Sequence, residues 1–140
     1  MNIISHRHTG IVCKNINVLL NFYHNLLNLD ILYHEVENDQ FFQKLTGKKS
    51  ANIYKLGKEN NIFLELLFFE KTLEQPAKTI NDTGITHICL NVLNLDELYF
   101  ELSNKKINFI NEPIVNKSKT AKVCFCYDPE GNLLEFVESL

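Results

Sequence analysis

The chain has 140 residues, 45% of them apolar and 22% charged, and a formal net charge of −3. This is one domain's length, enough to bury a core without staples, and the composition excludes a disordered chain. Arg7 is the only arginine and there is no basic block, which excludes the clustered cations that nucleic-acid binding needs.

In chain order, residues 9–13 read as a strand. Residues 18–27 follow with helical spacing, Val18, Leu19, Phe22, Tyr23, Leu26 and Leu27 being apolar, and Asn17 is placed to cap them. Residues 30–36 read as a strand and 39–47 as a short irregular or helical piece. Strands at 52–56 and 62–69 flank Gly57-Lys58-Glu59-Asn60-Asn61, a hairpin signal. The apolar run at 62–69 is broken by Glu65 and is far too short for a bilayer span, which predicts no membrane partner. No charged-then-apolar segment with a cleavage site opens the chain, so a cytoplasmic location is expected. The polar stretch 71–83, with Pro76, reads as a linker. The pattern then restarts: a strand at 86–92, a helix at 95–104 capped by Asn94, a short strand at 108–110, a polar loop at 111–120 and a strand at 121–127. A turn at Asp128-Pro129-Glu130-Gly131-Asn132 leads to a last strand at 133–137.

The order β-α-β-β-β thus occurs twice. His8 is followed seven positions later by Asn15-Ile16-Asn17-Val18-Leu19, and His87 seven positions later by Asn94-Leu95-Asp96-Glu97-Leu98. Leu64-Glu65-Leu66-Leu67 ends the first half and Leu134-Glu135-Phe136-Val137 the second. One helix on one small sheet leaves the other sheet face bare, so two such units are expected to complete each other. The predicted fold is α+β: one domain over 1–140, with βαβββ modules at about 1–70 and 84–140 forming a curved, mostly antiparallel cup with helices outside.

Glu65 lies in a strand that is apolar on both sides, and a lone carboxylate there needs a cation beside it. Glu135 repeats the situation. Neither has a Lys or Arg beside it in its own strand. His8 and His87 stand at the same place in the two repeats, and strand alternation puts His87, Cys89 and Asn91 on one face. Any one of the four is compatible with an ordinary polar side chain. As a symmetric set, two neutral imidazoles and two carboxylates match one divalent ion, with Zn, Ni, Co, Mn and Fe all acceptable. His6, two residues before His8, competes as a ligand but precedes the apolar strand. His24 reads as a helix-edge residue, and His34 has no repeat partner. Lys117, Lys119 and Lys122 could meet an anionic substrate or simply form a solvated face. Cys13, Cys89, Cys124 and Cys126 form no C-x-x-C pair and read as reduced thiols. Open sheet edges favour a homodimer.

The segments His8-Thr-Gly-Ile-Val-Cys-Lys-Asn15, Phe22-Tyr23, Gly84-Ile-Thr-His87-Ile-Cys-Leu and Asp128-Pro-Glu-Gly-Asn-Leu-Leu-Glu135 resemble the vicinal oxygen chelate superfamily. This superfamily holds the glyoxalase, bleomycin-resistance and ring-cleaving dioxygenase proteins. The resemblance spans nearly the whole chain and implies paired βαβββ modules, usually a homodimer. It also implies a divalent metal on His8, Glu65, His87 and Glu135. The expected activity is a metal-assisted lyase or isomerase step on a small carbonyl or vicinal-oxygen substrate through an enediolate, with Glu135 or Glu65 as general base. Two other roles fit the same resemblance: an iron-dependent ring-cleaving dioxygenase and a drug- or metabolite-binding resistance protein. Val12 stands where glyoxalase I enzymes often have an arginine for glutathione, and the chain has no Trp.

Overall fold

Ile16 is an apolar residue just ahead of the expected helix, and burying it moves the helix start upstream. In the computed structural model, which describes residues 3–76 and 79–140, strand β1 (Thr9–Val12) is followed by helix α1 (Ile16–Leu20). The cap is Asn15 rather than Asn17: its side-chain oxygen accepts from the backbone N–H groups of Asn17 and Val18. The expected helix over 18–27 changes hydrogen-bonding pattern midway and continues as a π-helical segment, Asn21–Leu26. The adjacent Phe22 and Tyr23 are both fully buried there, their rings edge to face at 5.0 Å.

Strand β2 (Asp30–Glu37), helix α2 (Gln40–Thr46), β3 (Ala51–Lys58) and β4 (Asn61–Phe68) complete this half. The Asp39 carboxylate caps α2 by accepting from the Phe42 N–H, and Gly47 ends it at φ +70°. The strands order as β1-β4-β3-β2, with β1 parallel to β4 and the other pairs antiparallel. Helix α1 packs on β4, and Leu19, Leu56, Leu64 and Leu66 are fully buried. On the other face, Phe42 of α2, Ala51, Ile53, Leu67 and Phe69 form a smaller apolar cluster.

The β3–β4 hairpin turns on Glu59 and Asn60, at φ +49° and +65°. Next to it the register shifts by one residue between Leu56 and Gly57. A Cβ on residue 57 would lie 1.7 Å from the Asn61 carbonyl oxygen, so this bulge accepts only glycine. A second shift, between Ile31 and Tyr33, makes Leu32 the extra residue of β2.

The chain divides into two compact units, Met1–Glu74 and Gln75–Leu140. No helix or strand falls within the expected linker among the described residues; Ala77 and Lys78 of that stretch lie outside them. The second unit runs β5 (His87–Asn91), α3 (Leu95–Asn104), β6 (Asn108–Phe109), β7 (Ile114–Val115), β8 (Ala121–Tyr127) and β9 (Leu133–Ser139). Its sheet order is β5-β9-β8-β6, and β7 also pairs with β8. Strand β7 falls inside the segment expected as loop. The open edge of β8 recruits Ile114 and Val115 opposite Val123 and Lys122. Asn94 caps α3 as expected, accepting from the Glu97 N–H. Helix α3 packs on β9, with Leu95, Leu102, Leu134 and Phe136 buried and Tyr99 edge-on to Phe109.

The 128–132 turn is built around Asp128, which is 4% exposed. Its carboxylate accepts from the backbone N–H groups of Glu130 and Asn132 and from the Asn132 side-chain amide, at 2.8–2.9 Å. Gly131 takes φ +85°. The turn thereby fixes where β9 begins, and so where Glu135 stands. Among the described residues no helix is long and apolar enough to cross a membrane.

Candidate metal centre

Parallel pairing next to a histidine builds the same construction in each unit. In the first unit Gly10, two residues after His8, is the register partner of Glu65 on β4. In the second, Cys89, two residues after His87, is the register partner of Glu135 on β9. Each imidazole therefore reaches the carboxylate of the neighbouring strand. His8 Nε2 faces Glu65 Oε2 at 3.7 Å, and His87 Nε2 faces Glu135 Oε2 at 3.2 Å. The glutamate side chains are 15% and 21% exposed, enough to be reached from solvent and too little to be freely hydrated.

The two pairs differ in what surrounds them. Opposite Glu65 on the antiparallel side is Lys55, whose ammonium lies 3.5 Å from the same Oε2. The same ammonium sits over the Tyr33 ring, 4.7 Å from its centroid. Tyr33 in turn donates its hydroxyl to Glu35 and Glu37, and these bonds, that to Glu35 first, hold the phenol well above its ordinary range. Opposite Glu135 stands Phe125, its ring edge-on to His87 at 5.5 Å. The Cys89 thiol hydrogen-bonds the Glu135 carboxylate; burial, and then this bond, push it up to about 11. Thr86 Oγ1 lies 3.0 Å from His87 Nδ1, so Nδ1–H can donate to it and leave the Nε2 lone pair toward Glu135. His8 Nδ1 is buried and has no hydrogen-bond partner.

The cation beside Glu65 is therefore present in the chain, on the neighbouring strand rather than in Glu65's own. An unbulged hairpin around Glu59-Asn60 would set Lys55 opposite Leu64; the shift at Gly57 sets it opposite Glu65. The lysine was visible in the sequence, but its partner was not.

Other candidates have structural partners. His24 Nδ1 bonds the Leu29 carbonyl at 2.7 Å. His34 Nε2 bonds the Asn52 side chain at 2.8 Å and its ring stacks on Tyr54. His6 is exposed, near Thr9. Lys122 is engaged by Asp96 of α3 and Glu138 of β9, so it ties helix to sheet and is not free for an anion; Lys117 and Lys119 are exposed. None of the four cysteines is in a disulfide, and Cys13, Cys124 and Cys126 are buried.

The donor set suits a divalent ion. Within each unit an imidazole Nε2 is turned to a carboxylate Oε2. Two ligands about 2.1 Å from a metal stand roughly 3.0–3.4 Å apart, close to the separations seen. Among the described residues, no group of three or more His, Cys, Asp or Glu side chains is gathered as a metal site.

A family model for the glyoxalase/bleomycin resistance protein/dioxygenase superfamily matches residues 6–136. A search of curated proteins finds no match. Solved structures share the fold at low identity. A glyoxalase family protein from Bacillus cereus is 17% identical, covering 100% of this chain and 97% of its own, with a TM-score of 0.85. The trypanothione-dependent glyoxalase I of Leishmania major is 20% identical over 97% of this chain and 87% of its own, with a TM-score of 0.69. The fosfomycin resistance protein FosX of Listeria monocytogenes is 13% identical over 99% and 96%, with a TM-score of 0.68.

Proposed function

The chain belongs to the glyoxalase/bleomycin resistance protein/dioxygenase superfamily, and from that premise we propose that it is a metal-dependent lyase or isomerase of the glyoxalase type. Its substrate is a small carbonyl or vicinal-oxygen compound, and proton transfer proceeds through an enediolate. The observation that carries this reading is the repeated construction: an imidazole Nε2 turned to a glutamate Oε2 at the same register in both units. His8, Glu65, His87 and Glu135 are the ligands of one divalent ion, Zn, Ni, Co, Mn or Fe. When bound, that ion supplies positive charge for an oxyanion developing on the substrate.

The protein's own residues do the rest. A carboxylate, Glu135 or Glu65, takes the proton next to the substrate carbonyl and returns it at the neighbouring carbon. The Phe125 ring limits water around Glu135, and the Cys89 thiol hydrogen-bonds its carboxylate. Thr86 holds the His87 ring in place. The enzyme works as a cytoplasmic homodimer, because strands β1 and β5 each leave one sheet edge unpaired within their own sheets. Light scattering at micromolar concentration is expected to give the dimer mass; a monomer mass removes this part of the proposal.

The test of the activity is a panel of methylglyoxal hemithioacetal, methylmalonyl-CoA and catechols, each assayed with several metals. Metal-dependent isomerisation without oxygen uptake is the expected result. Oxygen consumption with a catechol would replace the proposal by a ring-cleaving dioxygenase. Tight binding of an aromatic ligand that survives metal removal would replace it by a binding protein.

A further inference from the structure

The two histidine–glutamate constructions differ at one register position. The residue opposite Glu135 is Phe125, and the residue opposite Glu65 is Lys55. Sheet packing alone does not call for a lysine there, since the equivalent slot holds an aromatic ring. Two irregularities bring Lys55 into place. The shift at Gly57 aligns Lys55 with Glu65, and the shift at Leu32 aligns Tyr33 with Lys55. His8, Glu65, Lys55 and Tyr33 so lie side by side on one sheet face, with the ammonium 3.5 Å from Glu65 Oε2 and 4.7 Å from the Tyr33 ring centroid.

The charges then decide what Lys55 does. Without a metal, the ammonium neutralises Glu65. Two neutral histidines and two carboxylates already balance a divalent ion, so a metal that takes Glu65 leaves the lysine with one positive charge uncompensated. Glu35 and Glu37, the next carboxylates on that face, are held by the Tyr33 hydroxyl. The side chain is 27% exposed, so solutes can reach it, and the Tyr33 ring limits its movement.

We propose that Lys55 is an anion-binding residue of the metal-loaded site, so that the substrate is a small carbonyl compound carrying an anionic group. This rests on the metal centre proposed above. It makes Lys55 a specificity residue rather than a proton-transfer residue, and a competitor of the metal for Glu65.

Calorimetric titration of wild type, Lys55→Met and Lys55→Arg tests both roles without turnover. Nickel is titrated into the metal-free proteins first. Lys55→Met is expected to bind it about tenfold more tightly than wild type, since a repelling charge and a competitor are both gone. Dihydroxyacetone phosphate and uncharged dihydroxyacetone are then titrated into the nickel-loaded proteins. Wild type and Lys55→Arg are expected to prefer the phosphate by about tenfold or more, and Lys55→Met to lose the preference. Unfolding temperatures of the three proteins establish that each is folded. Nickel binding that Lys55→Met does not strengthen, or a phosphate preference that it keeps, overturns this inference and leaves the metal centre standing. Absence of nickel binding in all three overturns both.

Discussion

Replacing Glu135 by glutamine is expected to leave the fold intact and to lower turnover by about a thousandfold, within the usual range for loss of a positioned general base. Glutamine keeps the size of the side chain and its oxygen, so the Cys89 thiol and the His87 ring retain a neighbour of the same shape. What it loses is the capacity to take a proton. Because Glu135 is also proposed as a ligand, the variant's metal content must be measured beside its rate. A variant that holds its metal and has lost turnover identifies the base. Glu65→Gln is expected to cost less, because Lys55 and His8 both already face the same Glu65 oxygen. Unchanged turnover in Glu135→Gln would exclude Glu135 as the base, and the larger loss in Glu65→Gln would transfer the role to Glu65.

The internal repeat carried most of what could be read in advance. Strand parity and the doubled His-to-Glu pattern singled out His8, Glu65, His87 and Glu135 as a set; that His8 meets Glu65 and His87 meets Glu135 comes from the parallel register of β1 on β4 and of β5 on β9, which alternation alone does not give. Interactions that depend on irregularity were not legible. Lys55 meets Glu65 only through a one-residue shift that a glycine makes sterically possible. Nothing in hydrophobic periodicity marks such a shift, although a glycine inside a strand beside a turn is a signal for one. The first helix shows the same limit. Asn17 was expected to cap it, and burial of Ile16 moves the cap to Asn15. Strand β7 escaped notice because two apolar residues in a polar stretch are too few to show a period. The 128–132 turn was legible as a turn, whereas the burial of Asp128 at its centre was not.

Metal is expected to stabilise the protein measurably, and to do so unequally through its two histidines. An ion that binds only the folded chain adds about 2.7 kcal/mol at one hundred times its dissociation constant. For a chain of this size that raises the unfolding temperature by roughly 10 °C. Protein purified without chelator should carry one ion per chain by elemental analysis, and a chelator should remove both the ion and the shift. His87→Ala, which deletes a ligand, is expected to abolish the shift. Thr86→Val tests what orients that ligand. Thr86 Oγ1 lies 3.0 Å from His87 Nδ1, whereas His8 Nδ1 has no partner. A ring held through its second nitrogen presents the first with less loss of freedom, and losing such support typically weakens a metal by about 10–100-fold. Thr86→Val should therefore weaken nickel by at least about tenfold while the metal-free protein unfolds within a few degrees of wild type. Equal affinities would reduce Thr86 to an ordinary strand-entry residue. No stoichiometric metal and no shift in the wild type would remove the metal centre itself, since the two histidine–glutamate contacts would then be plain polar pairs on two sheets.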